Sequence, residues 1–220
     1  MRSSIPTVVG ACLLSACFTE SPDSNDPDNN TEACETGEIC QTWLDTHNNF
    51  RAELNAGTVV DDGTYGTYPI PATPLPTLTW NAQLAQVAQA HADACVYEHN
   101  PNREDEYVAA GGENIYIGEN IAVNGTTGTL ATLETYAEAQ TEAWWSEYDL
   151  WHYKTYQHGT DSDAGHFTQM IWANTIEIGC GIASCPGILP GYTNAAFGVC
   201  NYGPGGNYNG QYPYEVSVLP

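Results

Sequence analysis

The sequence predicts an α+β domain. Three stretches in the first two thirds of the chain repeat their apolar residues at helical spacing. Two shorter stretches near the C-terminal end read as strands joined by a Pro/Gly-rich turn. Periods of 3.6 and 2 residues cannot be served by one backbone conformation, so helices and a sheet must share the core.

From Ile39, the residues Ile39, Trp43, His47, Phe50 and Leu54 recur at helical spacing, and Gly57 follows as a stop signal. Thr58 to Pro76 is rich in Gly, Pro, Thr and Tyr and reads as a long loop. A second helix is predicted from about Trp80 to Tyr97, with Leu84, Val87, Ala88, His91 and Cys95 on one face. A polar loop follows, with His99 at its start and two Gly-Glu-Asn copies, centred on Glu113 and Glu119. A third helix is predicted from about Leu130 to Tyr153 on the stripe Leu133, Ala137, Gln140, Trp144, Glu147 and Trp151. Glu147 is the odd member, because a carboxylate on a buried face is costly unless paired or hydrogen-bonded. Phe167, Met170 and Ile171 suggest a short helix after Gly165-His166. Ile176, Ile178, Cys180 and Ile182 alternate as a strand, and Ala195 to Tyr202 reads as a second. The turn between them lets Cys180 and Cys200 face each other across the ladder.

Composition narrows the class. The chain has 220 residues, enough for one domain plus a tail. Four Lys and Arg stand against 27 Asp and Glu, a formal net charge of -23. Nucleic acid and anionic membrane surfaces are therefore excluded as electrostatic partners. The eight cysteines show no CxxC pair and no zinc-finger spacing. In an exported chain they read as a disulfide framework.

Export is expected from residues 1–17. Arg2 precedes a short apolar run, Ile5 to Leu14, far below the roughly 20 residues that span a bilayer. Leu14-Ser15-Ala16-Cys17 resembles a bacterial lipobox, which would make Cys17 a lipidated mature N-terminus. The alternative is an ordinary leader cut at a small-residue site. Residues 18–37 are dominated by Pro, Asn, Asp and Ser and are expected to be a disordered acidic tether before a domain over 38–220. Cys34 and Cys40 are expected to pair with each other. The localisation implied is secreted or lipid-anchored in a cell envelope, with no membrane contact except through that anchor.

Four polar residues stand out on chemistry. His99 and His166 adjoin small or turn residues, Glu147 interrupts an apolar stripe, and Glu119 or Glu113 sits in a glycine-flanked loop. Two imidazoles and two carboxylates can form a metal site or an acid/base cluster, although spacing alone does not bring them together. His47 and His91 read as core or edge groups, and His152 and His158 match no motif. Neither an HExxH helix nor a GxSxG elbow is present, and Ser146 beside Glu147 has no motif behind it.

Longer motifs carry a resemblance. Gly165-His166-Phe167-Thr168-Gln169-Met170-Ile171-Trp172 and Val199-Cys200-Asn201-Tyr202-Gly203-Pro204-Gly205-Gly206-Asn207-Tyr208 are similar to the two signatures of the CAP superfamily. This superfamily comprises the cysteine-rich secretory, antigen-five and pathogenesis-related class-one proteins. His47-Asn48-Asn49-Phe50-Arg51, Leu78-Thr79-Trp80-Asn81 and Cys95 to His99 resemble its upstream marks, so the resemblance covers roughly Thr42 to Tyr214.

The resemblance implies a three-layer α-β-α sandwich with a small antiparallel sheet and a large cleft. It implies a cleft tetrad of His99, Glu119, Glu147 and His166, with Glu113 as the alternative to Glu119, and His99 and His166 as ligands of zinc or another divalent cation. It implies disulfides Cys95–Cys185 and Cys180–Cys200. A third family disulfide is missing, because Asp161-Ser162-Asp163-Ala164 stands where many members carry cysteines. The function implied is a cleft-containing binding module for small apolar ligands of the sterol or fatty acid class, more than an enzyme. The alternatives are a metal-assisted or acid/base hydrolase using the same tetrad, and an envelope adhesion protein.

Overall fold

The structure is a computed structural model that describes residues 39–60 and 67–217. The leader, Cys17, the 18–37 tether and Cys34 lie outside the described residues. Cys40 is disulfide-bonded, and its expected partner Cys34 lies outside the described residues. Among the described residues no helix is long and apolar enough to cross a membrane.

The elements in chain order are α1 (Ile39–Asn55), β1 (Thr79–Trp80), α2 (Ala82–Asp93), α3 (Arg103–Ala109), β2 (Gly118–Thr126), α4 (Leu133–Ser146), α5 (Gly165–Met170), β3 (Glu177–Ser184) and β4 (Asn194–Gly203). The four strands form one sheet in the order β1-β3-β4-β2. β2 and β3 both run antiparallel to β4, and the short β1 adds a parallel edge beside β3. The sheet is therefore mixed where a purely antiparallel one was expected. The parallel edge arises because α2 crosses over the sheet between β1 and the later strands.

Strand alternation sorts the core into two layers. Ile178, Cys180, Ile182, Ala196, Cys200 and Tyr202 face α1 and α4, where they pack with Trp43, Leu54, Ala137 and Trp144. Ala183, Phe197 and Val199 face the other way, onto Ala88 and Ala92 of α2. Two glycines set the closeness of that second layer. A Cβ on Gly179 would lie 2.1 Å from the Ala85 nitrogen, and one on Gly181 would lie 2.3 Å from the Gln89 Cα. The three layers expected from the resemblance are thus present, with α2 and α3 on one face and α1, α4 and α5 on the other.

Several sequence expectations need adjustment. The second helix is shorter than expected: Trp80 is in a strand, and Asn81 caps α2 by accepting from the Leu84 N–H at 2.9 Å. Cys95 lies two residues beyond α2 in a left-handed conformation (φ 53°), so the turn rather than a helix face aims its sulfur at Cys185. The third helix begins after Thr132 and ends at Ser146, giving way to a 3-10 turn over Glu147–Leu150. The expected polar loop after His99 contains α3 and all of β2.

The His-Asn-x-x-Arg segment of α1 is a set of ties to the rest of the domain. Asn48 brackets Leu78, donating to its carbonyl at 3.1 Å and accepting its N–H at 2.8 Å. Arg51 is 2% exposed and donates to the Trp172 carbonyl at 3.2 Å, while its Nε and Nη1 have no partner. Burial with no carboxylate partner pushes the guanidinium down to about 10.

His47 is fully buried. Its Nδ1 lies 2.7 Å from the Trp43 carbonyl and must donate, so its Nε2 accepts from the Tyr202 hydroxyl at 2.8 Å. Desolvation, only partly offset by the Trp43 carbonyl, pushes it down to about 4. Asn120 donates to the same Tyr202 oxygen at 2.9 Å and to the His166 carbonyl at 3.2 Å. This hydrogen-bonded chain runs from α1 through the sheet to the start of α5.

Candidate functional site

The four candidate residues form two histidine–carboxylate pairs. In the first, His99 Nδ1 lies 2.8 Å from Glu119 Oε1, which also accepts the Asn100 N–H at 2.9 Å. Glu119 stands on β2 and its side chain is 1% exposed, while that of His99 is 59% exposed. The alternative, Glu113, is exposed in the turn after α3, and the structure does not place it against His99.

In the second pair, His166 Nδ1 lies 2.6 Å from Glu147 Oε1. The other oxygen of Glu147 accepts the N–H groups of His166 and Phe167 at 3.0 and 3.2 Å. Those are first-turn donors of α5 with no partner inside the helix, so the carboxylate satisfies them and complements their positive end. This removes the sequence-level puzzle of Glu147: it sits where α4 ends, partly buried, with its cost offset by three hydrogen bonds. The His166 ring also stacks on Trp144 (centroids 5.9 Å apart, planes at 28°), and Trp144 stacks on Trp43 at 5.5 Å.

In both pairs the carboxylate is already an acceptor of main-chain N–H groups, so each Nδ1 carries the proton and donates. The lone pair of each neutral ring is then on Nε2. Both imidazoles lie on the wall of one cavity of about 490 Å³. Their neighbours there are mostly polar: Arg103, Ser162, Gln169 and Asn207, with the rings of Tyr116 and Tyr156. Tyr116 is held by the Arg103 guanidinium over its face at 5.9 Å and by the ring of Tyr208 at 5.4 Å.

Among the described residues no three His, Cys, Asp or Glu side chains converge closely enough to hold a metal ion by themselves. A cation here would have the two imidazoles as its only side-chain nitrogen ligands, with solvent or a ligand supplying the remaining positions. One further polar atom points the same way: Glu119 Oε2 is buried and has no hydrogen-bond partner.

Sequence reasoning missed His158, which lines the cavity from the loop before α5 and matches no motif. It also missed Gln169, whose Oε1 accepts the Gly206 N–H at 2.7 Å, tying the first signature to the second beneath the cavity. Ser146 does not line the cavity, and its hydroxyl donates to the Ala143 carbonyl at 2.8 Å.

The two disulfides that the resemblance implies are both present. Cys95–Cys185 ties the end of α2 to the end of β3, and Cys180–Cys200 joins directly paired positions of β3 and β4.

Comparison with known proteins agrees with this architecture. Residues 44–202 match the model of the cysteine-rich secretory protein family. Human GLIPR1-like protein 1 is 30% identical over 207 residues, covering 94% of this chain and 71% of the relative. Venom allergen 5 of Vespa mandarinia is 37% identical over 177 residues, covering 78% and 77% respectively. Among solved structures, NaASP2 with Zn2+ superposes with a TM-score of 0.67 at 28% identity, covering 87% of this chain and 90% of that one. BmVAL-1 gives a TM-score of 0.68 at 27% identity, covering 84% and 86%.

Proposed function

Because the chain belongs to the cysteine-rich secretory protein family, we propose that it is an exported binding module whose cleft takes a divalent cation at His99 and His166. The observation that carries this reading is the matched pair of imidazoles, each with Nδ1 anchored by a carboxylate and both on one cavity wall. Glu119 and Glu147 fix the tautomers and ring orientations, leaving each Nε2 lone pair free to bind. The superposition on a relative containing Zn2+ supports zinc as the ion to try first. When bound, the ion supplies Lewis acidity and an exchangeable coordination position to whatever ligand enters the cleft.

The lining favours a polar ligand here over the sterol or fatty acid that the resemblance implies. Among the described side chains a fatty acid carboxylate would find no free Lys or Arg, and its only charge partner would be the bound cation itself. Arg51 is buried, Arg103 is held by the Ile117 and Asn100 carbonyls, and Lys154 is paired with Asp161 at 2.7 Å. Secretion is supported by the family and by the two disulfides, which persist in oxidising compartments. Lipidation at Cys17 extends this reading by holding the domain at a surface.

The test is calorimetric zinc titration of the full chain beside its His166→Ala variant, with circular dichroism to confirm the fold. One-to-one binding that the variant loses supports the proposal. Absence of binding by the intact chain overturns the cation site and the metal-assisted hydrolase with it.

A further inference from the structure

A second cavity, of about 540 Å³, lies beside Trp172 and shares no lining residue with the histidine cleft. We infer that it is a binding site for a neutral, β-linked oligosaccharide.

The groove is preformed. Its walls come from the loop before β1, the turn after α5 and the C-terminal segment, and main-chain bonds tie them together: Ala173 N–H to the Pro213 carbonyl at 2.7 Å, and Ala72 N–H to the Glu215 carbonyl at 2.8 Å. Asn55 brackets Leu75, donating to its carbonyl at 3.1 Å and accepting its N–H at 2.7 Å, which fixes Pro74 and Pro76 on either side. Little ordering is left for a ligand to impose.

The chemistry of the lining selects the occupant. Tyr212 is 41% exposed, and one face of its ring stacks on Tyr153 (centroids 5.1 Å apart, planes at 19°). The ring is thus a fixed aromatic platform that remains partly open to solvent. A pyranose with equatorial substituents presents a flat C–H face that suits such a platform. The exposed amides of Asn174 and Gln211 offer donors and acceptors, and the Glu215 carboxylate accepts hydroxyl protons.

The competing occupants fit less well. A purely apolar ligand would strip water from two amides and a carboxylate without replacing their hydrogen bonds. A polyproline helix is recognised by a row of exposed aromatics, and here Tyr212 alone is exposed, Trp172 and Tyr214 being buried. An anionic sugar meets Glu215, no cation in the lining, and a chain of net charge -23.

The experiment is calorimetric titration of the full chain with cellotriose, chitotriose and, as the anionic comparison, trigalacturonate. We expect saturable one-to-one binding of cellotriose or chitotriose, weakened at least tenfold by Tyr212→Ala, retained by Tyr212→Phe and unchanged by His166→Ala. Failure of both neutral sugars to bind, survival of their binding in a folded Tyr212→Ala variant, or equal affinity for trigalacturonate would each overturn the inference. Zinc binding by Tyr212→Ala reads out the cleft independently, so failure at one site does not stand for failure at the other.

Discussion

Glu147 holds His166 twice: one carboxylate oxygen takes the imidazole Nδ1–H at 2.6 Å, and the other takes the main-chain N–H of the same residue at 3.0 Å. Ring orientation and helix start are therefore set by one side chain. Glu147→Gln keeps the shape but replaces one acceptor by a donor facing either the ring or the first turn of α5. We predict a loss of roughly 2 kcal/mol in stability by urea unfolding and zinc binding weakened by about 10- to 100-fold. Unchanged affinity would separate Glu147 from the cation site.

Stability should fall in acid through His47. Its folded pKa lies at about 4, below its ordinary value, so between the two values the unfolded chain takes up a proton that the folded chain does not. Stability therefore rises with pH through that window and is lost as pH falls from about 6.5 to about 4, by about 3 kcal/mol for this one group. Urea unfolding at several pH values measures the slope. The His47→Gln variant should show a shallower slope, even though it starts less stable.

The two disulfides should differ in worth. Cys95–Cys185 spans 90 residues and Cys180–Cys200 spans 20. On the loop-entropy account, replacing the first pair by alanines costs about 1 kcal/mol more than replacing the second. Thermal unfolding of the two double variants gives the comparison, and the reverse order would show that enthalpic terms at the β3–β4 ladder dominate.

Gly181 should tolerate no side chain. Alanine there places its Cβ 2.3 Å from the Gln89 Cα, and the obstacle is helix backbone rather than a movable side chain. We expect a loss of about 3 kcal/mol or more for Gly181→Ala. Gly128→Ala, whose Cβ would have an ordinary contact at 3.7 Å, should leave the melting temperature nearly unchanged.

Legibility in the sequence followed burial. α1, β3 and β4 were readable because each has a continuous buried stripe, as Trp43, His47 and Leu54 do along α1. β2 was not, because Gly-Glu-Asn and Asn-Gly carry poor strand propensity; pairing with β4 along its whole length, from Gly118↔Tyr202 to Thr126↔Asn194, imposes the conformation. α3 buries only Tyr107, too little for a periodic signal, though Glu104, Asp105 and Glu106 in its first turn mark a helix start. At the site, the four residues were singled out by type and motif. Their pairing was not readable, because each pair spans two elements: the turn after α2 with β2, and the end of α4 with α5. Arg51 lay at helical spacing with Trp43, His47 and Leu54, but an arginine does not read as a core residue, and the cleft position of His158 left no trace in the pattern.

The central claim concerns two nitrogen atoms, so the most direct measurement observes them. The 15N resonances of the six histidines of the full chain should be followed during zinc addition. The account predicts that Nε2 of His99 and His166 shift to metal-bound values while their Nδ1 atoms stay protonated, with His47 and His91 unmoved. No change at either residue, or a response confined to His152 and His158, would contradict it.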